Sequence, residues 1–269
     1  MIKKIVSLSI LFLTLSTQAV ADDRRVAIIA DASLHLGPEL ALILADRGHD
    51  IVLTQPREGL VDELEKKGAK VINVKGIDNI NDKGAVSKLV KAADANFGGF
   101  DSAFIRPGLH VTGNIFEVTD KEFEDAFKGN MLSVSYALKA LLTDLQDKGR
   151  AGQILIETSA SAQRPMPIAV AYGSTRAGAN MIIQDAAYTV AREGITVNAM
   201  GTNFMNYPGF RESVGADDPE TFEKVLSQIP VHRLGEPKEA AHLAASLLDG
   251  NNMYTTGQVF SVSGGWAAQ

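Results

Sequence analysis

The apolar positions fall into two alternating kinds of segment. Val26-Ala27-Ile28-Ile29-Ala30 is an unbroken apolar run, the pattern of a strand covered on both faces. Residues 37–47 carry apolar side chains at helical spacing and stop at Gly48. The alternation continues down the chain. Further strands are predicted at 51–53, 71–74, 102–105, 154–156, 195–200 and 258–262, and further helices at 60–67, 83–97, 121–145, 171–192, 219–227 and 237–248. The stretch from Gly201 to about Asp218 has neither period and reads as irregular. Alternation of this kind predicts an α/β fold, a doubly wound parallel sheet with helices on both faces. Nothing in the pattern suggests a repeat or a linker, and 269 residues suit one large domain. Ligands of such sheets bind beyond the carboxyl ends of the strands, which draws attention to the loops that begin at Asp31, Arg106, Thr158 and Gly201.

The first residues have a pattern of their own. Lys3 and Lys4 precede an apolar stretch from Ile5 to Leu15, and Ala19-Val20-Ala21 places small residues at a cleavage site. This is the layout of a secretory signal peptide over residues 1–21, with a single catalytic domain at 22–269. The apolar stretch is well short of the roughly 20 residues a spanning helix needs. The expected location is the periplasm or the exterior, with no membrane contact in the mature form.

Composition narrows the chemistry. The net charge of −6 argues against nucleic acid, which requires a basic face. There is no cysteine, which excludes disulfides, thiolate catalysis and cysteine-ligated metals. Tyr172 and Arg176 are four residues apart on a predicted helix and so share a face. Ser159 lies 13 residues before Tyr172, just past a predicted strand. A fixed cation beside a phenol favours the phenolate, and a serine hydroxyl can hold a substrate oxygen near it.

Five segments in order resemble the short-chain dehydrogenase/reductase superfamily, a Rossmann-type fold. They are Ser159, the Tyr172–Ala179 stretch, Val197-Asn198-Ala199, the Arg233–Glu239 stretch, and Thr256-Gly257-Gln258-Val259-Phe260 with Gly264-Gly265. The dehydrogenases of this superfamily carry Thr-Gly-x-x-x-Gly-x-Gly after the first strand. Here the aligned residues are Ala30-Asp31-Ala32-Ser33-Leu34-His35-Leu36-Gly37, and only the last glycine survives. Asp31 places a carboxylate where phosphates are expected, or else caps the following helix. The family's catalytic lysine is Arg176, which relays protons poorly. Asn130 matches the dehydrogenases' helix asparagine, or is a residue that kinks the helix.

The Ser159–Tyr172–Arg176 set with a degraded nucleotide loop is most similar to the halohydrin dehalogenases. That resemblance implies a cofactor-independent lyase. Tyr172 would take the proton of a vicinal haloalcohol, Ser159 would hold its oxygen, and the halide would leave as an epoxide closes. The reverse ring opening by small anions is also implied. A halide or other small anion would bind at Thr202, Asn203, Phe204 and Met205, with His35 nearby, and backbone N–H groups would supply the donors. No metal or other cofactor is expected. The family commonly pairs through its two long helices, so a homodimer or homotetramer is expected. Two other readings stay open: an exported NAD(P)-dependent short-chain oxidoreductase, and a non-catalytic binding protein on the same fold.

Overall fold

Seven parallel strands form one sheet in the order β3-β2-β1-β4-β5-β6-β7. They are β1 Arg25–Ala30, β2 His49–Leu53, β3 Val71–Asn73, β4 Ser102–Ile105, β5 Gly152–Ser159, β6 Ile195–Thr202 and β7 Val259–Val262. The computed structural model describes residues 24–268; the expected signal peptide at 1–21 lies outside them. The doubly wound expectation holds. Helices α1 Gly37–Asp46, α2 Leu60–Lys66 and α9 Pro237–Leu248 cover one face of the sheet. Helices α3 Ala85–Phe97, α5 Ser133–Asp147 and α6 Val170–Val190 cover the other. The strands read as continuous apolar runs because both faces are covered. Ile28 and Ile29 are neighbours in β1, yet Ile28 packs in one core and Ile29 in the other. Each such side chain contributes roughly 1.5–3 kcal/mol by leaving water.

Two differences from the expected elements matter to function. The helix predicted at 121–145 is broken into α4 Asp120–Phe127, a π-helical turn Lys128–Leu132, and α5. The cause is Asn130, which is fully buried. Its amide accepts from Leu109 N–H at 2.9 Å and donates to the Leu109 carbonyl at 3.0 Å and to Thr175 Oγ1 at 2.9 Å. Drawing that side chain inward widens the turn. The second difference lies in β5 and β6. They continue as partners to Ser159 and Thr202, beyond the apolar runs that predicted them. The remaining helices, α7 Phe210–Ser213 and α8 Pro219–Ser227, follow β6, and α7 falls within the stretch read as irregular. Among the described residues no helix is long and apolar enough to cross a membrane.

The chain winds outward from β1 in both directions, so the loops after β1 and β4 separate at the middle of the sheet. A crevice opens there, at the carboxyl ends of the strands.

Candidate active site

Extension of β5 carries Ser159 to the rim of this crevice. Its Oγ lies 2.7 Å from Ser161 Oγ and accepts from Ser161 N–H at 3.2 Å. Helix α6 begins at Val170 and brings Tyr172 to the same crevice. Ser159 and Tyr172 line one cavity of about 380 Å³, together with His35, Arg106, His110 and Thr202 to Met205. The Ser–Tyr pair expected from spacing is therefore brought together.

Arg176 lies beside Tyr172 and also does more than the spacing suggested. Its guanidinium carbon stands 5.2 Å from the centre of the Tyr172 ring. The group is buried, and Nη1 donates to the Pro107 carbonyl at 2.8 Å. It fits beneath Gly108, where any Cβ would lie 1.8 Å from Nη2. Arg176 thus fastens the loop after β4 to α6 as well as placing a cation beside Tyr172. His110, on the same loop, meets the Tyr172 ring edge-on at 4.7 Å. Burial first, and the Arg176 charge second, lower the pKa of His110, which favours the neutral imidazole.

Four residues just past or within four adjacent strands form a polar chain across the crevice floor. Arg106, after β4, donates to Asp31, after β1, at 2.9 Å. Arg106 Nε lies 3.5 Å from Glu157 of β5. Glu157 in turn accepts from Thr202 Oγ1 of β6 at 2.8 Å. Burial raises the pKa of Glu157, against the opposing pull of Arg106 and of the Thr202 hydrogen bond. Residue-by-residue reading of the sequence missed Glu157, although a carboxylate directly after the apolar Ile154-Leu155-Ile156 was a usable signal.

The loop after β1 has left-handed backbone at the two positions where its glycines are lost. Asp31 has φ 67° and His35 φ 56°, both left-handed. The surviving Gly37 is required by space, since a Cβ there would lie 2.3 Å from the Asp31 carbonyl oxygen. Asp31 does not cap α1, whose N-cap is Leu36 without a side-chain bond. Its Oδ1 accepts instead from Ser33 N–H at 3.3 Å and from the Ser33 hydroxyl. His35 stacks on Tyr207 with ring centres 4.1 Å apart. Burial, with a smaller push from Arg106, lowers its pKa to about 3, so it is a neutral ring at ordinary pH. This arrangement disfavours a dinucleotide's pyrophosphate: the chain's own carboxylate takes the Ser33 N–H and hydroxyl, and a second anion beside it would be repelled.

Two of the expected halide donors, the N–H groups of Asn203 and Phe204, are engaged, whereas the buried Asn203 Nδ2 has no hydrogen-bond partner among the described residues. Asn203 N–H donates to the Val262 carbonyl at 3.2 Å, and Phe204 N–H to the Asn203 side-chain oxygen at 3.0 Å. Thr202 is turned to Glu157. Met205 and the Phe204 ring do line the cavity. Among the described residues no group of acids and histidines is arranged to hold a metal ion.

Comparison with known proteins agrees with the fold and corrects the chemistry. The chain is 26% identical over 244 residues to "3-oxoacyl-[acyl-carrier-protein] reductase FabG" of Staphylococcus aureus, covering 89% of this chain and 96% of that one. It is 26% identical over 243 residues to "2-keto-3-deoxy-L-fuconate dehydrogenase" of Xanthomonas campestris pv. campestris, covering 89% and 79%. Among solved structures, YwfH, described as an "NADPH dependent reductase involved in Bacilysin biosynthesis", superimposes with a TM-score of 0.81 at 21% identity, over 90% of this chain and 98% of that one. The sequence relatives named here are oxidoreductases. That overturns the expectation of a haloalcohol lyase, to which the engaged N–H groups of Asn203 and Phe204 already give little support. The family model described as "Enoyl-(Acyl carrier protein) reductase" matches residues 33–267, and the chain belongs to that family of short-chain dehydrogenases/reductases.

Proposed function

We propose that the protein is an oxidoreductase of the short-chain dehydrogenase/reductase kind, acting on the carbonyl or hydroxyl group of a small molecule held in the crevice. The observation that carries this reading is the meeting of Ser159 and Tyr172 in one cavity, on a chain whose relatives are a reductase and a dehydrogenase. Ser159 Oγ holds the substrate oxygen, and Ser161 orients that hydroxyl. A nicotinamide dinucleotide, when bound, would supply the hydride to the carbonyl carbon in reduction or receive it in oxidation, and Tyr172 Oη gives the matching proton to the oxygen or takes it back. Arg176 places a permanent positive charge beside the ring and anchors the loop that carries His110 against it. The cavity suits a compound of modest size with one apolar flank, since Met166, Ile168 and Phe204 line it.

The test offers ketones, aldehydes and 3-oxoacyl thioesters together with NADPH or NADH at millimolar concentration, and follows the loss of absorbance of the reduced nicotinamide. Turnover is expected with the wild type. Tyr172→Phe removes the proton donor and is expected to lower it by about 10²–10⁴-fold, with the melting temperature unchanged. Equal rates for Tyr172→Phe and wild type would show that Tyr172 is not the proton donor.

A further inference from the structure

We propose that Asp31 is an internal ligand of the nucleotide seat, so that any dinucleotide must compete with the chain's own carboxylate for the loop after β1. The inference rests on the oxidoreductase reading only for the class of ligand it names. Three observations carry it. The first is conformational. Asp31 and His35 both hold left-handed backbone, at two positions where glycine would do so without strain. A residue with a side chain is disfavoured there by roughly 1–2 kcal/mol, and persists only where its surroundings fix it. The backbone is thus shaped as a phosphate cradle, with side chains where a phosphate would approach.

The second observation is how the carboxylate is fixed. Its Oδ1 takes the Ser33 N–H and hydroxyl, and its Oδ2 takes Arg106 at 2.9 Å. The pair is mostly shielded, with side-chain exposures of 29% and 13%. Solvent therefore screens it less than a surface pair. The third is that Arg106 is shared. It also faces the buried Glu157, which is held by Thr202. Pulling Arg106 toward a pyrophosphate would leave two acids, Asp31 and Glu157, without their cation. His35 adds a physical wall, since its ring bridges the loop to Tyr207 beyond β6.

Calorimetric titration of NADPH and NADH into the full chain tests this. Asp31→Asn keeps size and tolerates the left-handed turn, so it isolates the charge. Asp31→Gly with His35→Gly restores both glycines of the loop. The wild type is expected to bind with a dissociation constant weaker than about 1 mM. Asp31→Asn is expected to bind at least about tenfold more tightly, and the double variant more tightly still. Thermal melting confirms that each variant is folded, and Asp31→Asn alone suffices if the double variant is not. Micromolar binding by the wild type, or no gain in Asp31→Asn, overturns the inference. The two readings fail separately. Tight binding by the variants with no carbonyl compound reduced counts only against the oxidoreductase reading. Tight binding and turnover by the wild type counts only against the internal ligand.

Discussion

His35 shows how much one residue's surroundings decide. Its imidazole is shielded, stacked on Tyr207, and its Nδ1 has no hydrogen-bond partner among the described residues. The lowering of its pKa from 6.5 to about 3, chiefly by burial, has a consequence for stability. Above pH 6.5 the ring is neutral in both folded and unfolded chains and adds no pH dependence. Between 6.5 and about 3 the unfolded chain takes a proton that the folded one refuses, so stability falls as the pH falls through that window. Glu157, with its raised pKa, acts in the opposite sense, since its carboxylate is disfavoured in the fold as the pH rises. His35→Asn keeps a residue that tolerates left-handed backbone and leaves Glu157 in place. Urea unfolding between pH 7 and pH 4.5 is expected to show the wild type losing stability relative to this variant, approaching about 1 kcal/mol per pH unit. Parallel curves for the two proteins would place the ring in water. At this scale the sequence was legible in part. Ser159 and Tyr172 were found because their spacing is local to one strand–helix unit. The floor of the crevice was not, because Arg106 and Asp31 are 75 residues apart and meet only when β4 lies beside β1.

Elements were legible wherever a hydrophobic period ran unbroken, as in α8 and α9, whose bounds match the pattern residue for residue. The pattern failed where polar side chains do structural work. Asn130 turns part of a long helix into a π turn through bonds to Leu109 and Thr175, and no periodicity records a bond between distant residues. Likewise β5 and β6 run on through Glu157, Thr158 and Thr202, polar residues that end a strand in a sequence reading. That extension is what presents Ser159. Gly201 makes it possible, because a Cβ there would lie 2.8–2.9 Å from the Ser159 carbonyl carbon, its oxygen and the Ala160 nitrogen. All three are backbone atoms and cannot rotate aside. Gly201→Ala is expected to cost about 1–3 kcal/mol in thermal or urea unfolding and to lower turnover by shifting Ser159. Gly178→Ala is the comparison. Its Cβ would meet the Sδ and Cε of Met131, the flexible end of that side chain, and is expected to cost less. A loss as large at Gly178 as at Gly201 would mean that backbone crowding at Ser159 is not the cause.

The whole molecule leaves apolar side chains uncovered on neighbouring helices. Phe123 and Phe127 of α4 and Met181 and Tyr188 of α6 are exposed, Tyr188 at 91%. Helices α4 and α6 pack against each other, and large aromatic residues on such a surface mark an interface. A homodimer or homotetramer through these helices is expected. Light scattering after size exclusion checks it: the wild type should elute as a multiple of the chain mass, and Phe127→Glu with Tyr188→Glu should shift it toward the monomer. A monomeric wild type at micromolar concentration would rule it out. The architecture itself was the most legible level, since strand–helix alternation leaves few topologies for a parallel sheet. Chemistry was the least legible, because the same Ser–Tyr spacing serves more than one reaction. The molecule also carries its own optical handle on that chemistry. Trp266, the chain's single tryptophan, is 4% exposed and lies edge-on to Phe204 at 5.8 Å, beneath the Arg164 guanidinium at 4.7 Å. Phe204 lines the cavity, so a molecule entering there disturbs the packing around one lone fluorophore, and occupancy of the crevice is written into the colour and intensity of its emitted light without any label.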